Sequence, residues 1–364
     1  MKILVDLTSL ADNFSGIERY AACLTKEMIK NQKNDYILVF KNEVHPMFQE
    51  NINDSNIGIV VIPGCKKLIF NQIKLPLTIY RQKADCYLFL AFPVPVLLFK
   101  KNMISTIHDI CCWDCPETMN GMSNWYFKIS HKIATWKCKR IITISKFSEN
   151  RIVEKLKYPQ NKIWLIYCGV DDKFLNYQCK EENIKNIKEK YHLPEKYLLS
   201  LSTLEPRKNL RLLVDAYREL VLKDGFDIPL VLAGRKGWKM DQLFHGIEEK
   251  VQEKIIFTGF IDDEDLPAVY NNAMLFVFPS MYEGFGMPPL EALACGTAVL
   301  SSDASSLPEV LGDSARYFKS EDKDSLIKNL KRYSENNHFV PGNVLDKFNW
   351  TKEAEKLLHY IDKL

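Results

Sequence analysis

Short β-rich runs alternate with helical segments along this chain, and the scheme runs through twice, an order that belongs to parallel sheets covered by helices. In the first half the expected strands are Ile3 to Leu7, Tyr36 to Phe40, Ile57 to Ile62, Cys86 to Phe92, Met103 to His108, Arg140 to Ile144 and Ile163 to Tyr167. The second half repeats it with Tyr197 to Ser202, Pro229 to Ala233, Lys254 to Thr258, Leu275 to Phe278 and Thr297 to Ser301. At 364 residues the chain exceeds one ordinary core and fits two doubly wound α/β domains of roughly 150 to 200 residues each. The expected boundaries are 1–175 and 176–345, with the polar stretch Asp171 to Lys190 as the linker region. Residues 346–364 read as a terminal amphipathic helix capped by Thr351. Ligands of such sheets collect beyond the carboxyl ends of the strands, so the segments that follow strands carry the functional reading.

The most informative of these is Phe276-Val-Phe-Pro-Ser-Met-Tyr-Glu283-Gly-Phe-Gly-Met-Pro-Pro-Leu-Glu291-Ala-Leu-Ala-Cys-Gly296. It places Glu283 on a glycine turn after a strand and Glu291 in the first turn of a helix opened by Pro288-Pro289. Carboxylates accept hydrogen bonds from vicinal hydroxyl pairs, so two of them across one junction suit a molecule with two sugars, such as a nucleotide sugar. Gly284 and Gly286 let backbone N–H groups approach a ligand, and the helix start favours a diphosphate. The plainer reading makes both acids solvated helix-end residues. After another strand, Leu201-Ser-Thr-Leu-Glu205-Pro206-Arg207-Lys208-Asn209 sets two cations at a strand-to-helix junction. Arg207 can grip phosphate oxygens in a fork and Lys208 acts as a point charge, which suits a leaving group that gains negative charge. In the first half, Gly16 opens a helix after the first strand. His108-Asp109 ends another strand, with His108 read as a sugar donor or proton handler and Asp109 as an orienter of an acceptor hydroxyl.

Glu-x7-Glu around Gly-Phe-Gly, the following Glu-Ala-Leu-Ala-Cys-Gly-Thr-Ala-Val, and Glu205-Pro-Arg-Lys-Asn209 together resemble the retaining glycosyltransferases of group 1, which have the GT-B fold. Within them the chain looks like the mannosyltransferase-like branch of bacterial surface-polysaccharide synthesis. The resemblance implies two Rossmann-like domains facing a central cleft: an N-terminal acceptor-binding domain and a C-terminal nucleotide-sugar domain, with a terminal helix crossing back to the first. It implies that Arg207 and Lys208 hold the donor phosphates, that Glu283 with the Phe285–Gly286 backbone positions the hexose, and that Glu291 holds the nucleotide. Gly16 and His108 then come from the first domain, while Arg235 and Phe260 border the nucleotide. Ile144-Ser145-Lys-Phe-Ser148 and Leu307-Pro308-Glu309, which also read as helix starts, match segments that line the cleft. The strand ends read as free of an Asp-x-Asp metal motif, so no metal or resident cofactor is expected. The donor is a nucleoside diphosphate sugar, GDP-mannose first, and the acceptor a saccharide or lipid-linked saccharide. Retention of anomeric configuration comes from the resemblance alone.

Composition excludes several other classes. Hydrophobic residues at 46% and charged ones at 26% are those of a globular protein, and a net charge of +3 gives no reason for a nucleic-acid partner. The start, Met1-Lys-Ile-Leu-Val-Asp6, meets an acid too early for a signal peptide, so a cytoplasmic protein with reduced cysteines is expected. His108-Asp-Ile-Cys111-Cys112-Trp-Asp-Cys115 offers zinc-ligand types but no second ligand pair nearby. Trp125 to Arg140 carries five cations and no acid, interleaved with Trp125, Ile129, Ile133 and Trp136. Two readings stay open for it: an interfacial helix on the inner face of the cell membrane, or a core helix with a solvated basic flank. A nucleotide-sugar epimerase of similar architecture and a non-catalytic nucleotide-sugar binder are the alternatives. A dehydrogenase is disfavoured, since Gly284-Phe-Gly286-Met-Pro-Pro lacks the third glycine of the dinucleotide motif.

Overall fold

Strands that are apolar at nearly every position can be buried on both faces only where helices cover a parallel sheet on either side. The computed structural model describes residues 1–11, 16–178, 181–235, 243–335 and 343–364, and within them the apolar runs form two such sheets. The first comprises β1 (Lys2–Asp6), β2 (Asp35–Lys41), β3 (Ile57–Ile62), β4 (Cys86–Phe89), β5 (Met103–Thr106), β6 (Arg140–Thr143) and β7 (Ile163–Leu165). The second comprises β8 (Leu198–Leu201), β9 (Leu230–Ala233), β10 (Ile255–Gly259), β11 (Leu275–Phe278), β12 (Val299–Ser302) and β13 (Arg316–Phe318). Every pairing is parallel.

The spatial orders are β3-β2-β1-β4-β5-β6-β7 and β10-β9-β8-β11-β12-β13. Both are doubly wound, reversing direction between β1 and β4 in one sheet and between β8 and β11 in the other. Loops leaving the two strands at such a reversal diverge to opposite faces and open a crevice at the carboxyl edge. Several strands end earlier than their apolar composition suggests: β4 stops at Phe89, β5 at Thr106 and β7 at Leu165. The residues beyond leave the ladder to build that edge. β13 went unforeseen because three residues, two of them half-buried, carry no run to detect.

Residues Met1–Pro116, Asn120–Gly169 and Asn349–Leu364 cluster as one compact unit, and Glu117–Met119 with Val170–Phe348 as the other. The stretch 171–190 is not a linker. It holds the helices Asp172–Leu175 and Glu181–Tyr191, the second tied down where the Tyr191 hydroxyl donates to Asp265 at 2.8 Å. Its polar composition reflects a one-sided helix rather than an unpacked tether. In the first unit the terminal helix Trp350–Asp362 packs on the helix Gly16–Ile29, burying Ala354, Leu357, Leu358 and Ile361 at helical spacing. Its cap is Asn349, whose side chain accepts from the Lys352 amide at 3.0 Å. Thr351 lies inside the helix and donates to Glu27 at 2.8 Å instead.

Trp350 also presses on Gly169, where an added Cβ would stand 2.5 Å from both the indole and the Trp350 nitrogen. Because one of those atoms is backbone, rotamer changes cannot clear the space. Gly169→Ala is therefore expected to destabilise the protein by about 2 to 3 kcal/mol, read as a lowered denaturation midpoint at unchanged m-value.

Candidate active site

In the second sheet both strands at the reversal feed the same corner. Past β8 the chain takes one tight turn, Pro206–Lys208, which Asn209 ends in a left-handed conformation (φ 52°) before the helix Leu210–Asp224 begins. Past β11 it runs through Ser280 to Gly286 into the helix Met287–Ala294. The two loops meet at Glu283, which is 6% exposed. Lys208 Nζ lies 2.6 Å from Glu283 Oε1, and Arg207 Nη1 lies 3.4 Å from Oε2. Arg207 Nη1 also donates to the Tyr282 carbonyl at 3.1 Å, and its Nε and Nη2 reach Glu205 Oε1 at 3.3 and 2.9 Å. Lys208 Nζ sits 5.5 Å over the Phe278 ring.

Burial alone pushes the Glu283 carboxyl up. Lys208 and Arg207 outweigh it and hold the group below the ordinary carboxylate value, so it is charged at neutral pH. Arg207, Lys208 and Glu283, singled out in the sequence from two separate segments, thus meet in space together with Glu205, to which the sequence reading gave no role. Its only signal was an acid two residues before an arginine across a proline.

Buried hydroxyls brace the Glu283 loop. The Ser305 hydroxyl accepts from the Glu283 amide at 2.8 Å, and the single proton of Ser306 lies between the carbonyls of Glu283 and Phe285, each 3.0 Å away. Ser302 donates to the Ser280 carbonyl at 2.5 Å. None of these serines stands out in the sequence, since nothing marks a serine as facing a carbonyl far along the chain. Gly286 has φ 102°, and an added Cβ would lie 2.6 Å from Leu307. Only glycine fits there. Gly284 and Phe285 are buried, with the Phe285 ring edge-on to Phe348 at 5.2 Å.

Glu291 is the fifth residue of its helix, beyond the first turn, because the helix opens at Met287 and not at the prolines. It is buried and accepts from the Tyr270 hydroxyl at 3.0 Å. Glu283 and Glu291 thus belong to one strand–loop–helix segment but have different partners. Arg235 lies over the Phe260 ring at 4.7 Å, an exposed cation–aromatic pair just past β9 and β10. Residues 12–15, just before Gly16, and 236–242, just after Arg235, lie outside the described residues.

An Asp-x-Asp triplet does occur beyond β10, Asp263-Glu264-Asp265, contrary to the sequence reading. Its carboxylates are engaged: Asp263 pairs with Lys173, and Asp265 takes Lys190 at 2.7 Å and the Tyr191 hydroxyl. Among the described residues no group of three or more His, Cys, Asp or Glu is arranged to hold a metal ion.

In the first unit the reversal strands supply Gly16, exposed at the start of its helix, and the Leu90 carbonyl just past β4. His108 Nε2 lies 2.9 Å from that carbonyl and its ring packs edge-on to Tyr20 at 5.2 Å. A ring nitrogen facing a carbonyl must carry the proton, which leaves Nδ1 as an acceptor. Burial lowers the His108 pKa to about 4, so it does not handle protons near pH 7. Asp109 caps its own turn, accepting from the Cys111 amide at 2.9 Å, which is the plain strand-end role. Ser145 caps the helix Lys146–Leu156, and Ser148 donates to the His108 carbonyl at 3.1 Å.

The comparisons with known proteins agree with this architecture. The sequence profile of the Glyco_transf_4 family, "Glycosyltransferase Family 4", matches residues 14–174, and that of "Glycosyl transferases group 1" matches residues 180–356. A cyanobacterial structure of Anabaena Alr3699/HepE with UDP and glucose superposes over the whole of both chains with TM-score 0.74 at 16% identity. A sucrose-phosphate synthase from Thermosynechococcus elongatus does so over all of this chain and 98% of its own, with TM-score 0.74 at 18% identity. The fold is that of the GT-B glycosyltransferases. The chain belongs to the GT-B glycosyltransferases of group 1: that family's profile matches its second half, and the Family 4 profile matches its first. In sequence it is 36% identical to the O-antigen chain mannosyltransferase B of Escherichia coli over 63% of this chain and 60% of that protein. It is 27% identical to the serotype-specific mannosyltransferase WbdA of Escherichia coli over its own full length and 48% of the relative. The chain thus spans about half to three fifths of the length of these two relatives.

His131 is buried like His108 and likewise lowered to about 4 by desolvation. Unfolded, each imidazole protonates near 6.5. The stabilisation they give is complete above that value and is lost as pH falls through about 4, up to about 3 kcal/mol per ring. Urea midpoints measured from pH 7 to 4 should fall accordingly, and His131→Gln should flatten part of that slope.

Proposed function

We propose that this protein transfers a hexose, mannose in the first place, from a nucleoside diphosphate sugar to an acceptor hydroxyl. The acceptor is a saccharide, most simply a lipid-linked oligosaccharide in the assembly of a capsule, O-antigen or exopolysaccharide. The observation that carries this reading is the meeting of Arg207, Lys208 and Glu283 at the carboxyl edge of the second sheet, where β8 and β11 part. Named mannosyltransferases among the relatives support the choice of sugar, and GDP-mannose is the donor to test first.

In the proposed reaction the bond between the anomeric carbon and the β-phosphate oxygen breaks as the acceptor oxygen bonds to that carbon. The departing diphosphate gains charge as it leaves. Arg207 and Lys208 stabilise it, fixed in advance by Glu205 and Glu283 so that little reorganisation is needed. Glu283 and the Gly284–Gly286 backbone orient the hexose hydroxyls, Glu291 the ribose, and the Arg235–Phe260 pair stacks on the base. Gly16 gives the diphosphate backbone access at a helix start, and His108 accepts through Nδ1 from a sugar hydroxyl. The acceptor hydroxyl attacks the face the diphosphate leaves and passes its proton to the departing β-phosphate oxygen, so configuration is retained, and the chemistry needs no divalent metal. The basic helix Gly121–Lys137 gives the protein a peripheral contact with the membrane that carries a lipid-linked acceptor.

Removing one such donor costs about 3 to 4 kcal/mol of barrier, a few hundredfold in rate. Arg207→Ala should lower kcat by that factor with the native circular dichroism retained, while chelator leaves the wild type active. Near-normal turnover of the variant, or strict dependence on added metal, would contradict the scheme.

A further inference from the structure

Exposed large apolar side chains are not scattered over this molecule. Among the described residues there are nineteen, of which nine fall in residues 68–99 and four in the helix Gly121–Lys137, all in the first unit. The turns Lys67–Ile69, Phe70–Lys74 and Leu75–Arg81 follow one another without a break, the middle one wound wider. This stretch buries Phe70, Leu75 and Ile79 and leaves Ile69, Ile73, Leu77 and Tyr80 outward, a stripe at three- and four-residue spacing with no partner element over it among the described residues.

Two further segments are stitched to that stripe. The Tyr80 hydroxyl accepts from the Phe99 amide at 2.7 Å and donates to the Leu97 carbonyl at 3.2 Å, while the Val96 amide donates to Gln72 at 2.9 Å. On the other side Lys137 Nζ donates to the Val96 and Leu98 carbonyls, and the Phe99 ring meets Trp136 edge-on at 6.2 Å. Trp136 is 74% exposed and Trp125 67%. Eleven residues apart, about three turns, they lie on one face of their helix.

Charge marks the same region. Residues 63–101 hold seven Lys or Arg and one acid, residues 121–140 five and none, and the remainder of the chain has more acids than bases. Cations rimming aromatic and aliphatic side chains are what an anionic bilayer surface binds: acyl chains take the apolar groups, and headgroup charge takes the rim. Nucleic acid would not cover the outward aliphatic stripe, since its recognition rests on phosphate contacts and stacking on aromatic rings.

We propose that the stripe Ile69, Ile73, Leu77 and Tyr80, joined to Leu97 and Phe99, is the main docking face of this protein on a membrane rich in anionic lipid, and that Trp125 and Trp136 extend it. This rests on the peripheral contact proposed above for the helix Gly121–Lys137 and moves its centre to a different element. The test uses vesicles of phosphatidylglycerol and phosphatidylcholine against vesicles of phosphatidylcholine alone, in co-sedimentation at fixed salt. The full chain should bind the anionic vesicles, and Ile73→Glu with Leu77→Glu should weaken binding at least tenfold with unfolding temperature unchanged. Both positions are about half exposed, so the native fold tolerates the charge. Binding lost in Trp125→Ala with Trp136→Ala but kept in the Ile73/Leu77 variant would overturn the stripe while leaving the helix contact standing. Absence of wild-type binding to either vesicle would overturn both. Self-association in light scattering that the same variants abolish, or retention on single-stranded RNA without vesicle binding, would assign the face elsewhere and overturn the proposal.

Discussion

A carboxylate shut away from water is the constraint on which the second unit's site depends. Burying an isolated charged Glu283 would cost several kcal/mol or force it to take up a proton. It stays charged because Lys208 and Arg207 arrive from another strand's loop. That requires β8 and β11 to be neighbours, which the order β10-β9-β8-β11-β12-β13 achieves only at its reversal. The ion cluster and the sheet topology therefore specify each other: one misplaced crossover would leave a buried acid without a partner.

The cluster's rigidity has an equally local origin. Asn209 in a left-handed conformation ends the Pro206–Lys208 turn, Gly286 with φ 102° ends the other loop, and Ser305 and Ser306 hold the backbone between. The Asn209 amide bonds back to the Pro206 carbonyl, and the two serines satisfy the Glu283 amide and the Glu283 and Phe285 carbonyls. With Glu205 and Glu283 against Arg207 and Lys208, the corner is close to charge-neutral without ligand. A diphosphate would therefore be received by cations already fixed in direction, which is how preorganised charge differs from a surface patch.

Much of this was legible in the sequence, for reasons that differ by feature. Strand composition is a local property, so β3 and β11 match expectation to the residue and most others to within three. The junction residues Arg207, Lys208 and Glu283 were legible because short charged segments after apolar runs must lie at the carboxyl edge. What escaped depends on distant partners: Ser306 against the Phe285 carbonyl, Tyr270 against Glu291, Leu90 against His108. The helix Gly121–Lys137 was left with two readings for a third reason. Its bulky apolar residues could face the core or an outer surface; Ser130, His131 and Ala134 are the buried ones, and Trp125 and Trp136 point out. Small side chains let the helix approach the sheet closely, and bulk is no guide where close approach is the requirement.

The loop after β4 joins the two themes of the first unit. It begins at Leu90, whose carbonyl fixes the neutral His108, and within nine residues reaches Phe99, whose amide is fixed by Tyr80 on the apolar face. Fully extended, nine residues span roughly 30 Å, and the loop turns where the Leu98 amide donates to the Pro95 carbonyl at 3.2 Å, so the distance bridged is shorter. The proposed docking face and the His108 ring proposed to meet a sugar hydroxyl are thereby joined by one short segment that carries Pro93 and Pro95. An acceptor anchored in lipid has its sugar a limited height above the surface. On the proposed reading, docking of that face would also set the height of the His108 ring above the surface, a coupling that a soluble acceptor would not need.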